Sequence, residues 1–152
     1  MSISVVRSYL KSRISDEDSG FYEHTDGFST GNIPTNIKSK SYFIEYQQPS
    51  NISTEGNVVL DQVTATVRLF FKGYRSVQQS IDSSMDTAHN IKLRASNISN
   101  YSSTIKRCVG TSVTIEPAST DNDNSMVVTL GLDLEIYYNV IWFTKEGIMA
   151  IS

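Results

Sequence analysis

The sequence has few of the residue types on which covalent and metal chemistry depends. It contains one cysteine, Cys108, and two histidines, His24 and His89, among 152 residues. A single cysteine excludes an internal disulfide and a cysteine-based metal site. Two histidines in different segments leave little material for catalysis that needs a histidine base.

Long apolar runs and strong charge are missing as well. No stretch approaches the roughly 20 apolar residues of a membrane-spanning helix. The first residues lack the apolar core of a signal peptide, so we expect neither secretion nor membrane association. Charged residues make up 19% of the chain, with 16 acidic and 13 basic side chains and a net charge of −3. This balance argues against a general nucleic-acid binder, which would be basic.

Neutral polar residues are abundant instead. Serine, threonine and asparagine number 23, 13 and 10. Such a composition favours a protein rich in strands and loops over a helical bundle. A chain of this length supports one hydrophobic core, and we predict a single domain over residues 1–152.

Two segments have the spacing of amphipathic helices. Residues 3–15 carry an apolar stripe at Ile3, Val6, Leu10 and Ile14. A second helix is predicted from Ser76 to about Ala95, because its apolar residues also recur every three or four positions.

Four segments are predicted strands, at residues 41–47, 58–71, 104–116 and 126–141. The second and fourth alternate apolar and polar residues, which is typical of a sheet with one buried side. In the third strand the alternation places Cys108 on the outer side. Residues 72–75 are predicted to form a turn, and residues 117–125 a hairpin loop.

The resulting order is α-β-β-α-β-β. It predicts an α+β fold with a four-stranded, mainly antiparallel sheet and both helices packed on its apolar face. The other face of the sheet is polar enough to meet water or a neighbouring subunit.

Two segments stand apart from this core: residues 16–40, a predicted long loop, and residues 142–152, a predicted C-terminal tail. The loop carries five acidic side chains and the aromatic residues Phe21, Tyr22 and Phe28. Long loops in compact domains are often functional. Two interpretations stay open: a partly packed surface loop, or an arm that orders against a partner through its aromatic side chains.

Motifs for chemistry are weak throughout the chain. Cys108 lies beside Arg107 but lacks a nearby histidine in the sequence. Residues 121–125 resemble the start of a calcium loop, yet the required glycine and glutamate are replaced by Met126 and Leu132. We therefore predict no catalytic residue, no cofactor and no metal site.

The placement of charge is more informative. Basic residues gather before the second helix, near its far end and in the following strand, while acidic residues gather in the loop and the last hairpin. This is either ordinary solvated mixing or a pair of complementary faces, as a head-to-tail ring requires. Candidate contacts on an exposed turn are Lys72, Tyr74 and Arg75, and their candidate acidic partners on the hairpin are Asp121 and Asp123.

Taken together, these segments resemble the tail terminator proteins of long-tailed bacteriophages. The features that carry the resemblance are the N-terminal helix, the loop with Asn32–Ile33–Pro34 before Tyr42–Phe43–Ile44–Glu45, the strand Val63 to Phe71 running into residues 72–75, the helix Ser76 to Ala95, and the hairpin around Asn122–Asp123–Asn124. It is a resemblance of layout that covers nearly the whole chain.

The resemblance implies a structural virion protein without enzymatic activity. It implies a homohexameric ring that caps the tail tube, stops tube polymerisation and forms the surface that joins the neck of the head. Its partners would be further copies of itself, the tail-tube protein and a head-completion protein. DNA would pass through the ring without specific binding. The ring would lie at the tail–neck junction of the virion, after assembly in the host cytoplasm.

Two alternatives remain. The chain is another head–tail connector or tail-tube protein, since these share β-rich layouts and form rings. Less in keeping with the sequence, it is a ferredoxin-like domain that binds a small molecule in a pocket, because a fold does not determine a function. The side chains available to line such a pocket are Tyr42, Tyr46, Tyr137 and Tyr138.

Overall fold

In a computed structural model, the chain forms two α-helices on one face of a mixed β-sheet, which is an α+β fold. The structure describes residues 2–28, 37–56, 58–74, 77–115, 119–120, 126–142 and 149–150. No helix in these ranges is long and apolar enough to cross a membrane.

The helices are α1 (Ser2–Glu17) and α2 (Val77–Ser96), and a 3₁₀ turn follows at Ile98–Asn100. The strands are β1 (Tyr22–Glu23), β2 (Ser41–Tyr46), β3 (Ser50–Glu55), β4 (Val58–Tyr74), β5 (Ile105–Ile115), β6 (Ser119–Thr120), β7 (Met126–Trp142) and β8 (Met149–Ala150).

The two longest strands, β4 and β7, pair along their length at the centre of the sheet. Strands β2 and β3 both pair with the edge of β4 that faces away from β7, at different positions along it. Strands β5, β6 and β8 pair with the other edge of β7. All these pairs are antiparallel, and β1 adds to β2 as the parallel exception.

One face of the sheet, which we call the inner face, forms the core with the helices. Alternate residues of β4 from Val63 to Phe71, and of β7 from Val128 to Tyr138, are almost completely buried there. Helix α1 contributes Val6, Leu10 and Ile14 to the same cluster. The stripe predicted for this helix is thus confirmed at these three positions.

Polar contacts fasten the two helices to each other. The Tyr9 hydroxyl donates a hydrogen bond to the Ala95 carbonyl. The Glu17 carboxylate accepts from Asn90 Nδ2 at 3.1 Å and from Arg94 Nε at 2.9 Å. The end of α1 is therefore held against the last turns of α2.

The predicted α+β class is confirmed, but the predicted strand count is wrong. Residues 50–55 form strand β3, whereas the sequence indicated only a polar break after β2. All six residues of β3 are exposed, so this edge strand has no apolar alternation by which it could be recognised. Its hairpin to β4 turns at Gly56, whose φ of +62° lies in the left-handed region that favours glycine.

The predicted turn at residues 72–75 is also wrong in its first part. Strand β4 continues through Lys72 to Tyr74, with an irregularity in register between these two residues. Strand β7 extends far enough to pair with them, which keeps the chain extended. Arg75 lies outside the described residues.

Cys108 lies on the inner face and is 2% exposed, contrary to the predicted outer position. The cause is a shift in register between Ile105 and Arg107. One extra residue in a strand reverses the alternation of side chains beyond it. A period-two pattern read along the sequence cannot anticipate such a bulge.

The two peripheral segments differ from their predictions in part. Within residues 16–40, helix α1 reaches Glu17 and residues 22–23 form β1. Within residues 142–152, Trp142 ends β7 and β8 pairs back onto it. The motif at residues 32–34 and the hairpin at residues 121–125 lie outside the described residues.

Two substitutions on β4 test the burial of the inner face. Val63→Ala should lower the free energy of unfolding by about 2 kcal/mol, because Val63 is completely buried and the change leaves a cavity. The matched control Val58→Ala, at a position 41% exposed on the same strand, should cost less than about 1 kcal/mol. Urea denaturation measures both. Equal costs would contradict the assigned faces.

Candidate interaction surface

The face of the sheet opposite the helices, which we call the outer face, carries a row of polar contacts across the four neighbouring strands β2, β4, β7 and β5. Arg68 Nη2 lies 2.9 Å from Glu45 Oε1. Thr66 Oγ1 donates to Asp133 Oδ1 at 2.6 Å, and Ser112 Oγ donates to Asp133 Oδ2 at 3.0 Å. Glu45, Thr66, Arg68 and Asp133 border a shallow depression of about 330 Å³.

The chemistry of this row is that of a solvated surface. The Arg68–Glu45 pair is partly exposed, so it adds little to stability. Both oxygens of the Asp133 carboxylate already accept hydrogen bonds from hydroxyl groups. Across the described ranges no three histidine, cysteine, aspartate or glutamate side chains are grouped so as to hold a metal ion.

Two of the three aromatic residues predicted to anchor an arm on a neighbour, Phe21 and Phe28, pack against residues of their own chain. The Phe21 ring makes an edge contact with Phe71 at a centroid distance of 5.7 Å. The Phe28 ring is 6% exposed and packs 6.2 Å from Phe70. This contact buries Phe70 on the outer face of β4, two residues from the half-buried Arg68.

Tyr22 differs from its two aromatic neighbours because it is 47% exposed. The Lys38 ammonium lies 4.4 Å from the centroid of its ring. Of the interpretations left open for this segment, the geometry of Phe21 and Phe28 favours the packed surface loop. Tyr22 remains available as a contact for a neighbour.

Of the other predicted contacts, Lys72 and Tyr74 lie at the end of the β4–β7 pair where β4 ends and β7 begins. Lys72 is half-buried in β4, opposite Val127, and the backbone of Tyr74 pairs with that of Met126. Arg75, Asp121 and Asp123 lie outside the described residues. The predicted charge contacts between subunits therefore stay predictions, because three of their five residues are outside the described ranges.

The four tyrosines of the alternative small-molecule reading do not share a site. Tyr138 is buried on the inner face, and burial raises the pKa of Tyr42 and of Tyr46 to about 12. Tyr137 is on the outer face, where its ring centroid lies 5.9 Å from the Arg107 guanidinium carbon. Its neighbour in sequence, Tyr138, points to the opposite side of the same strand.

A feature that the sequence reading missed is a groove of about 500 Å³ between the end of α2 and β5. Leu93 and Ile98 line it and are 67% and 78% exposed. We call the surface formed by these two residues with three cationic side chains the basic edge. Its cations are Lys92, Lys106 and Arg107.

The opposite margin of the sheet, strand β3, has a different character. Its six residues are exposed and include Ile52, 49% exposed, and Glu55. Asp61 on the adjoining β4 accepts a hydrogen bond from Asn51 Nδ2 at 3.2 Å. We call β3 with Asp61 the acidic edge.

Sequence signals for both edges exist but are faint. Leu93 lies off the buried stripe of α2, on a side otherwise polar, and Ile52 is the one apolar residue in a polar run. A single exposed apolar residue is common on protein surfaces. Only the folded chain shows that Leu93 and Ile98 line the same groove.

Comparison of the chain with models of protein families and with curated protein sequences finds no match.

Two substitutions separate packing from exposure in the segment after α1. Phe28→Ala should lower the free energy of unfolding by about 3 kcal/mol, because the ring is buried against Phe70. Tyr22→Ala should cost less than about 1 kcal/mol, since its ring is half in solvent. Chemical denaturation at low protein concentration measures both. If Phe28→Ala lowered the free energy of unfolding less than Tyr22→Ala, the segment would not pack as described.

Cys108 should be unreactive in the folded protein. Burial raises the pKa of its thiol to about 12, so the reactive thiolate is scarce at neutral pH. A thiol-alkylating reagent at pH 8 should label the chain only as fast as it unfolds, and labelling should accelerate with urea. The matched control is Ser99→Cys, an exposed position that should react at once. Immediate labelling of Cys108 without denaturant would contradict its burial.

Proposed function

We propose that this chain is a structural virion protein that assembles into a hexameric ring, as its resemblance to phage tail terminators implies. In this proposal the ring caps the tail tube, stops its polymerisation and provides the surface that joins the neck of the head. Its partners are further copies of the chain, the tail-tube protein and a head-completion protein. It acts at the tail–neck junction, after assembly in the host cytoplasm.

The observation that carries the proposal is the outer face of the sheet. A ring through which DNA passes needs a wet lining that does not hold phosphate groups. Three carboxylates occupy this face, those of Glu45, Asp133 and Glu135. Of the cations there, Arg68 is paired with Glu45 and Arg107 lies against the ring of Tyr137. The carboxylates of Asp133 and Glu135 lie on the central strand β7 and disfavour phosphate at the middle of the face, because like charges repel.

The shape of the sheet supports the same proposal. Strands β4 and β7 have 17 residues each, which gives a span of roughly 56 Å for an extended chain. Six copies with the outer faces turned inward would form a wall of considerable depth around a channel. The helices would then lie on the outside of the ring.

The first test is the native mass in solution, measured by light scattering over a range of concentrations. We expect a discrete species near six times 16.9 kDa. Added to growing tubes of the tail-tube protein, the chain should shorten them in electron micrographs and mark their ends, compared with tubes grown alone. Unchanged tube lengths would contradict the capping function. Open polymers of the chain itself would indicate a tube-forming protein instead.

A further inference from the structure

The two longest open edges of the sheet among the described residues are those of β5 and β3, whereas the other strands paired on one side only, β1, β6 and β8, have two residues each. Strand β5 pairs with β7 alone, and β3 pairs with β4 alone. An open edge is where a second chain can approach a sheet, and proteins commonly protect such edges or use them. The two open edges are the basic edge and the acidic edge defined above.

The charges of the two edges are opposite and are not neutralised within the described chain. The groove of the basic edge is lined by three cationic side chains and by no described acidic one. Strand β3 carries Glu55 and no basic residue. Lys92, Lys106 and Glu55 form no ion pair with another described residue.

The register of the sheet brings the two edges to the same level. Ser50 lies opposite Gln62, Gln62 opposite Tyr137, and Tyr137 opposite Arg107. Two copies placed side by side without a shift along the strands would therefore bring β3 of one beside the start of β5 of the other.

A second observation also places a residue of each edge at the same end of the sheet. Glu55 and Lys106 border one depression of about 370 Å³ on the outer face. The acid of one edge and a cation of the other thus lie at the same end of the sheet. By the register, Glu55 is level with Ile141, three residues beyond Tyr138, which pairs with Ile105, so the length of the Lys106 side chain is needed to bridge the two charges.

The main chain of β5 is closed to a new strand at this end. The Ile105 N–H donates to Ser102 Oγ at 3.0 Å. The Tyr101 hydroxyl accepts from the Cys108 N–H at 2.8 Å and donates to the Cys108 carbonyl at 3.0 Å. A neighbour would therefore bind through side chains in the groove rather than by extending the sheet.

The side chain of Lys92 shapes this groove. Its Cδ and Cε atoms lie 2.7 Å from the point where a Cβ would stand on Gly110. The aliphatic part of the lysine thus rests on the backbone of β5, and its ammonium group is carried along the edge. Lysines alone would only discourage unspecific pairing, but the exposed Leu93 and Ile98 beside them create an apolar floor.

We propose that the acidic edge of one copy docks into the basic edge of the next. Ile52 supplies the apolar contact with Leu93 and Ile98, and Glu55 faces the cations of the groove. The inference rests on the proposed ring and names the interface that builds it. Contacts between like edges would bring cations to cations or acids to acids, so the contact is head-to-tail, the kind that closes a ring.

Charge reversal tests the pairing of the edges. Glu55→Lys alone, and Lys106→Glu alone, should each raise the concentration for half-assembly about tenfold or more, because like charges then meet. An equimolar mixture of the two variants should assemble like the original chain, since every alternating contact again joins opposite charges. The matched control is Asp86→Lys, an exposed reversal on α2, which should leave assembly unchanged.

Light scattering of each variant and of the mixture gives the answer. Single variants that assemble normally, or a mixture that stays as weak as its components, would overturn the proposed interface. Normal assembly of these variants, with tube capping intact, would leave the ring function standing. Recovery in the mixture with open polymers instead of rings would support the interface and remove the terminator function.

Cross-linking provides a measurement that does not depend on charge. A chain with both Ile52→Cys and Leu93→Cys should form a ladder of disulfide-linked multimers under oxidation, while each single variant should stay monomeric in denaturing gels. The buried Cys108 does not interfere. Dimers from either single variant would indicate a two-fold contact and overturn the head-to-tail proposal. The absence of a ladder from the double variant would overturn it as well. So would an original chain that stays monomeric at every concentration.

Discussion

The antiparallel pairing of β4 with β7 is the constraint on which the rest of the molecule depends. Both strands have 17 residues, and their pairing continues from one end to the other. Every other strand but β1 is attached to one of these two. Since one face of the pair is lined by large apolar side chains, the helices must cover it, and the outer face is left to polar groups.

The N-terminal segment shows how peripheral parts are fastened to this centre. The Lys40 ammonium lies 2.6 Å from the Asp18 carboxylate and, as the main cause, holds the pKa of that carboxyl below its usual value. Phe21 and Phe28 then pack on opposite faces of the end of β4, against Phe71 and Phe70. A segment with five acidic side chains is thus anchored by a few aromatic contacts, and its charge stays near the surface.

The edges of the sheet are more distinctive than either face. On the outer face, Asp133 is matched within the chain by Thr66 and Ser112, and Arg68 is matched by Glu45. At the edges, Glu55 and Lys106 are left without such a match in the described chain. A surface whose polar groups are paired within the chain gains little from a partner and stays in contact with water. Unpaired charges next to exposed apolar side chains favour binding of a partner with opposite charge. In the proposed ring, the outer face therefore contacts water and the two edges contact neighbouring copies.

Local pattern was sufficient to predict the main buried residues of α1, β4 and β7. The alternation in β4 and β7 and the stripe of Val6, Leu10 and Ile14 follow from the periods of strand and helix, so the α+β class could be read directly. The exposed β3 could not, because it is held by backbone pairing and carries no apolar alternation.

Long-range contacts decided the remainder. The inward turn of Cys108 depends on where β5 slips in register against β7, and the burial of Phe70 depends on Phe28, which is 42 positions away in sequence. The two edges likewise join residues from separate segments. The sequence by itself determined which side chains need burial. Only the tertiary structure decided which polar and charged groups found partners within the chain, because those partners come from distant segments.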